Sequence, residues 1–132
     1  QDYIRGPYSA STGETGSLSL QFRDIYNRSA EVSKMTGTYS ANISEVSYTV
    51  SLDASQSITG SSSSGCTLNG SYTIPDPNHN LYKVSATEDC PDYTANYSGY
   101  AFLEDDGGTE NAVLTLALRD GQRYSLPIFY RQ

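Results

Sequence analysis

Apolar side chains alternate with hydroxyl or amide side chains along much of this sequence, and that period of two commits it to β-strands. Leu18, Leu20 and Phe22 alternate with Ser17, Ser19 and Gln21. Val46, Tyr48, Val50 and Leu52 alternate with Ser47, Thr49 and Ser51. Cys66, Leu68, Gly70, Tyr72 and Ile74 share one face, with Thr67, Asn69, Ser71 and Thr73 opposite. Tyr82, Val84 and Ala86 follow the same rule, as do Ala112, Leu114, Leu116 and Leu118, and then Tyr124, Leu126, Ile128 and Tyr130. In each run the apolar set is expected to face the core, which places Tyr48, Tyr72, Tyr82, Tyr124 and Tyr130 inward.

Turn-forming clusters separate the runs, at Asp53-Ala54-Ser55, Ser61 to Gly65, Pro75-Asp76-Pro77-Asn78, Glu104 to Gly108 and Asp120-Gly121. Ser29 to Met35 alone reads as helix, short, with Ser29 in the capping position and Gly37 ending it. Roughly eight or nine strands at even spacing, without crossover helices, predict an all-β fold. The architecture expected is an antiparallel meander barrel of about eight strands with one short helix, by analogy with lipocalin-like barrels, and a β-sandwich is the alternative. Gly37-Thr38-Tyr39, Gly70-Ser71-Tyr72 and Ser98-Gly99-Tyr100 recur ahead of strand runs, and glycine there permits the sharp bends that barrel corners need. The length of 132 residues fits one domain: residues 1–16 read as a flexible arm or tether, and 17–132 as a single β domain.

Cys66 and Cys90 bracket two strand runs, and a hairpin returns the second cysteine close to the first. A disulfide between them implies an oxidising compartment. The net charge of −7 argues against nucleic acid and against docking on an anionic membrane. No apolar run approaches the ~20 residues that a transmembrane helix needs. The chain begins at Gln1 rather than Met, so a secretory signal or lipoprotein leader is expected upstream, and a lipid anchor there is compatible with it.

Gly37-Thr38-Tyr39, Tyr48-Thr49-Val50 with Ile58-Thr59-Gly60, Ser64-Gly65-Cys66-Thr67-Leu68-Asn69-Gly70, Asn80-Leu81-Tyr82-Lys83-Val84, Cys90, Tyr97-Ser98-Gly99-Tyr100-Ala101-Phe102-Leu103 and Leu114-Thr115-Leu116-Ala117-Leu118 follow one another in order. With this series, Met35 to Gln132 resembles the C-terminal module of uncharacterised proteobacterial periplasmic or outer-membrane lipoproteins. The resemblance implies a β fold, one disulfide and residence in the periplasm or at the outer membrane. It implies no activity.

No residue constellation spells a catalyst. His79 stands near Asp76, yet a triad also needs a nucleophile, and an exposed turn histidine is the plainer reading. Glu104-Asp105-Asp106-Gly107-Gly108-Thr109-Glu110 gathers carboxylates without the spacing of a calcium loop, so a solvated hairpin tip is expected. No metal, cofactor or enzymatic activity is therefore expected. Tyrosine, with 12 copies, is the notable surplus. Tyr93, Tyr97 and Tyr100, after Cys90, fall in a looser stretch and are the candidates for an exposed aromatic binding patch. The function expected is a non-enzymatic envelope protein that engages another protein, as inhibitors, immunity factors and secretion accessories do. The alternative is a carrier of a small apolar ligand in the barrel mouth. A cavity of several hundred Å3 would favour the carrier, and a packed interior with an exposed tyrosine patch the protein partner.

Overall fold

The computed structural model describes residues 3–9, 15–21, 24–121 and 123–132. Strands β1 (Tyr3–Ser9) and β2 (Thr15–Gln21) pair antiparallel in a sheet of their own. The first of them falls within the stretch read as a tether, whose residues 1, 2 and 10–14 lie outside the described residues, as does Phe22. The Leu18 and Leu20 run lies on β2, whose strand partner is β1.

From Gly37 the chain is a meander. Strands β3 (Gly37–Ile43), β4 (Val46–Leu52), β5 (Ser57–Ser62), β6 (Thr67–Thr73), β7 (Tyr82–Asp89), β8 (Thr94–Asp106) and β9 (Thr109–Asp120) each pair antiparallel with the next. On its other edge β9 pairs with β10 (Arg123–Ser125) and then β11 (Ile128–Arg131), and β11 turns back onto β3. Strands β3 to β9 with β11 thus close an eight-stranded antiparallel barrel, and β10 is the additional strand. Closure leaves few unpaired edge groups to attract other chains. Outward positions from β3 to β7 are mostly Ser, Thr and Asn, such as Thr49, Ser51, Thr67, Asn69 and Ser85, and they are exposed. A lipid-facing wall would carry an apolar band there.

Burial follows the expected parity on the central strands. Val50 and Leu52, Cys66 and Tyr72, Tyr82 and Val84, and Leu114 and Leu116 are buried, and Tyr48, Leu68 and Leu118 pack half-buried against them. The last run is a correction. Tyr124, Leu126, Ile128 and Tyr130 do share a face, but it is the outer one, and they are 77%, 74%, 45% and 50% exposed. Phe129 occupies the interior instead, edge-on to Tyr48 with ring centroids 6.5 Å apart. Two residues set this parity. Pro127 has no N–H to donate and splits the run, its carbonyl accepting the Leu116 N–H at 3.0 Å. Arg131, on the Phe129 side, is drawn to the end of the barrel beside Gly37.

That end is filled. The helix α1 (Val32–Met35) is a single turn, and Met35 is fully buried. Glu31, not Ser29, holds the capping position, and no side chain caps it. The helix starts too late for Ser29 to reach its first N–H groups, and the Ser29 hydroxyl donates to the Glu31 carboxylate at 2.7 Å. Tyr39 donates to the Met35 carbonyl at 2.9 Å. Tyr82 accepts from the Glu31 N–H at 3.0 Å and donates to the Glu31 carbonyl at 3.2 Å. Buried Asn80 binds both the Leu103 N–H and carbonyl, and the carbonyl of Ile25, so the 3-10 turn Asp24–Asn27 is tied to β8. Tyr72 packs edge-on to Tyr82 with centroids 5.8 Å apart. Its hydroxyl is the buried side-chain polar atom without a hydrogen-bond partner among the described residues.

These two phenols predict opposite outcomes. Removing a bonded hydroxyl at Tyr82 strands the groups of Glu31 and should cost about 1 kcal/mol, whereas Tyr72→Phe removes an unpaid desolvation and should be neutral or stabilising. Urea unfolding of Tyr72→Phe and Tyr82→Phe checks this, and an equal loss in both would refute the assignment.

Candidate functional site

Opposite the filled end the interior is hollow. A cavity of about 160 Å3 runs up from Met35 between aliphatic walls supplied by Val50, Ile58, Val84, Leu114 and Leu116. Its lining loosens with height: Met35 is fully buried, Leu116 is 8% exposed and Ile43, at the rim, 39%. The cavity therefore opens at the end where β3, β7 and β9 finish. The opening is asymmetric. Only Tyr130 and Arg131 of the last strand pair with β3, opposite Ser40 and Tyr39. Above them, among the described residues, Ala41–Ile43 and β10 have no strand between them, and Ile43, Ser125 and Pro127 border the cavity along that unpaired seam.

Among the described residues, one charged group faces this apolar space. Glu88 continues the inward series Tyr82, Val84 and Ala86 by one step, is 5% exposed and lines the cavity mouth. Tyr93 donates its hydroxyl to the Glu88 carboxylate at 3.0 Å. Tyr48 and Tyr97 line the same mouth. The carboxylate acts on all three phenols. It pushes Tyr93 up to about 12, mainly through that hydrogen bond. Tyr48 and Tyr97 are raised first by burial and then by the Glu88 charge. Among the described residues no Lys or Arg forms an ion pair with Glu88; Arg123 is at this rim and acts electrostatically on Tyr97, as does Asp120.

The expected disulfide lies beside Glu88. Cys66 and Cys90 are bonded, with Cα atoms 4.1 Å apart and a sequence separation of 24. Their sulfurs and a Glu88 oxygen lie within 4.8 Å of one another. With the sulfurs bonded together, neither offers the thiolate that a metal would need.

The three tyrosines named from sequence do not form one patch. Thr94–Asp106 is strand, not a looser stretch, and its register shifts only between Glu104 and Asp106, so the side chains around Tyr97 and Tyr100 alternate. Tyr97 shares the inward parity of Ala95, Ala101 and Leu103, whereas Tyr100 points outward and is 47% exposed. Tyr93 precedes the strand and folds its hydroxyl onto Glu88. Two of the three thus meet at the mouth, and Tyr100 belongs to the outer wall. There it lines a shallow groove of about 400 Å3 with Lys83, Ala117, Arg119, Tyr124 and Leu126. Glu88 itself escaped sequence reasoning, although its place two residues after Ala86 was the available signal.

The other polar clusters are engaged in structure. His79 binds Asp76 at 2.8 Å and stacks on Tyr26 with ring centroids 4.7 Å apart. In the acidic turn, Asp105 accepts both guanidinium N–H groups of Arg28, each at 2.7 Å, and the Arg28 bond holds its carboxyl down at about 2.

Comparison with protein-family models, with curated proteins and with solved structures finds no match.

The Tyr93 bond carries a pH signature. A phenol whose folded pKa is raised contributes stability below its unfolded value near 10 and loses it as pH climbs toward about 12. Ultraviolet titration should show Tyr93 ionising near 12, and Glu88→Gln should return its midpoint toward 10. A Tyr93 midpoint unmoved by that substitution would dissociate the phenol from the carboxylate.

Proposed function

We propose that this barrel binds one small, mostly apolar molecule in its interior, and that it works in the oxidising bacterial envelope, in the periplasm or at the outer membrane. The cavity is the observation that carries the first statement; the disulfide, with the resemblance to envelope lipoprotein modules, supports the second. Close-packed interiors seldom leave such space. An apolar cavity of about 150 Å3 stays dry and takes up benzene, so the guest here is of similar bulk. At about 160 Å3 the cavity falls short of the several hundred Å3 expected of a general carrier, so it admits only a guest smaller than the usual pocket occupant. The rim residues that are half-buried provide access, and the filled end beside α1 holds the walls.

Toluene and benzyl alcohol are suitable first probes. A guest that binds only the folded state at one hundred times its Kd adds about 2.7 kcal/mol of stability, a rise of several degrees in Tm. Ala86→Phe, at a position that lines the cavity, should abolish the rise by filling the space. Absence of any shift in the wild type, or an equal shift in Ala86→Phe, rejects the interior as the site.

The outer wall favours a second reading, engagement of another protein. Tyr100, Tyr124 and Leu126 are exposed beside Lys83 and Arg119, which form no ion pair among the described residues of this acidic chain. Aromatic anchors ringed by cations suit a partner surface with apolar and carboxylate groups. Replacing Tyr124 and Leu126 by Ser should then abolish retention of that partner on immobilised protein, and unchanged retention would remove the groove from the interface.

A further inference from the structure

We infer that the occupant of the barrel is a small organic cation, an amine whose apolar body fills the cavity and whose ammonium group meets Glu88 at the mouth. This rests on the interior being the binding site and adds the chemistry of the head group.

A carboxylate that is 95% buried must be stabilised or neutralised, because its desolvation is costly. Glu88 receives a hydroxyl bond from Tyr93, and no described cation pairs with it. Phenol bonds satisfy lone pairs and leave the net charge in place. The carboxylate shares its mouth with the aromatic rings of Tyr48 and Tyr97. Glu88 acts on the hydroxyls of both, so a cation at this height meets a carboxylate and phenol oxygens together. Below, the described lining is aliphatic and aromatic, from Val84 and Leu116 down to Met35, and it offers a charged tail nothing and an apolar one a dry seat. The disulfide behind Glu88 and the ladder of β7 hold the carboxylate at one height, so head and tail are recognised together. An anionic guest would place like charges together at the mouth, and a neutral alcohol of the same shape would leave the carboxylate unpaired.

Benzylamine, benzyl alcohol and benzoate have nearly equal bulk and differ in charge, so calorimetry on the wild-type chain at neutral pH needs no variant. Benzylamine should bind at least tenfold more tightly than benzyl alcohol, with benzoate weakest. Glu88→Gln, nearly the same in shape, should erase the amine preference and still bind benzyl alcohol. Tyr97→Leu, which keeps the carboxylate, should retain part of the preference and guards against a variant that fails to fold. Equal affinities for benzylamine and benzyl alcohol in the wild type, or a preference undiminished in folded Glu88→Gln, overturn the amine assignment while the cavity reading stands. Failure of all three probes to bind the wild type overturns both.

Discussion

The contact between the last strand and the first strand of the ring is what turns a meandering sheet into a vessel. In backbone terms it is slight: two register pairs, Tyr130 with Ser40 and Arg131 with Tyr39, and the Gln132 N–H on the Thr38 carbonyl at 2.9 Å. Arg131 makes up the difference. Its guanidinium donates to the carbonyls of Lys34 and Thr36 and to the Tyr39 hydroxyl, its Nε donates to the Asn111 carbonyl, and it lies over the Tyr39 ring at 4.7 Å. One side chain therefore joins β11 to α1, β3 and the start of β9. A planar fork with five donors suits this work, and a lysine could satisfy only part of it. Because the closing bonds are gathered at the filled end, the seam above them is free to diverge, and the mouth opens there.

The inward face of β7 then sets the vertical plan. Tyr82 anchors the helix, Val84 and Ala86 line the wall, Glu88 faces the mouth, and Cys90 continues past the strand to the bridge with Cys66. Cross-linking a loop of this size stabilises by roughly 3.5 kcal/mol in the chain-entropy picture. That stabilisation sits beside Glu88, a buried carboxylate with no ion-pair partner among the described residues. The pairing is physically sensible: the mouth holds a group that costs energy, and the covalent bridge keeps the two adjacent strands from yielding to it.

Much of this plan was legible as spelling. Hydroxyl residues interleaved with aliphatic ones fixed the facing of β4, β6, β7 and β9, because only one set on those strands is apolar enough to bury. On the last strand both sets are arguable: Tyr124, Leu126, Ile128 and Tyr130 outweigh Ser125, Pro127, Phe129 and Arg131 in apolar surface, yet lie outside. A count of apolar atoms misleads there, since the parity follows from the ring-closing arginine, a contact across most of the chain. Glu88 was hidden for a related reason. A glutamate after Ala86 reads as the solvated end of a strand, and its burial depends on the phenol of Tyr93 and the bridge arriving from elsewhere. The pairing of the cysteines, by contrast, followed from local chain reversal and needed no such long-range knowledge.

The curvature of the wall depends on small residues placed side by side. Gly70 faces Ala86 across β6 and β7, and Gly99 faces Val84 and Leu118 across β8 and its neighbours. A Cβ built on Gly99 would stand 1.9 Å from the Ala117 carbonyl oxygen, and one on Gly70 would stand 2.2 Å from that of Ser85. Those glycines are required by strands that coil too tightly to admit any side chain, and the bend they permit brings the wall round into a ring. Ala86 differs from both: it has a Cβ already and borders open space rather than backbone. A bulky side chain at Ala86 would therefore fill the interior without disturbing the close strand contacts that Gly70 and Gly99 permit.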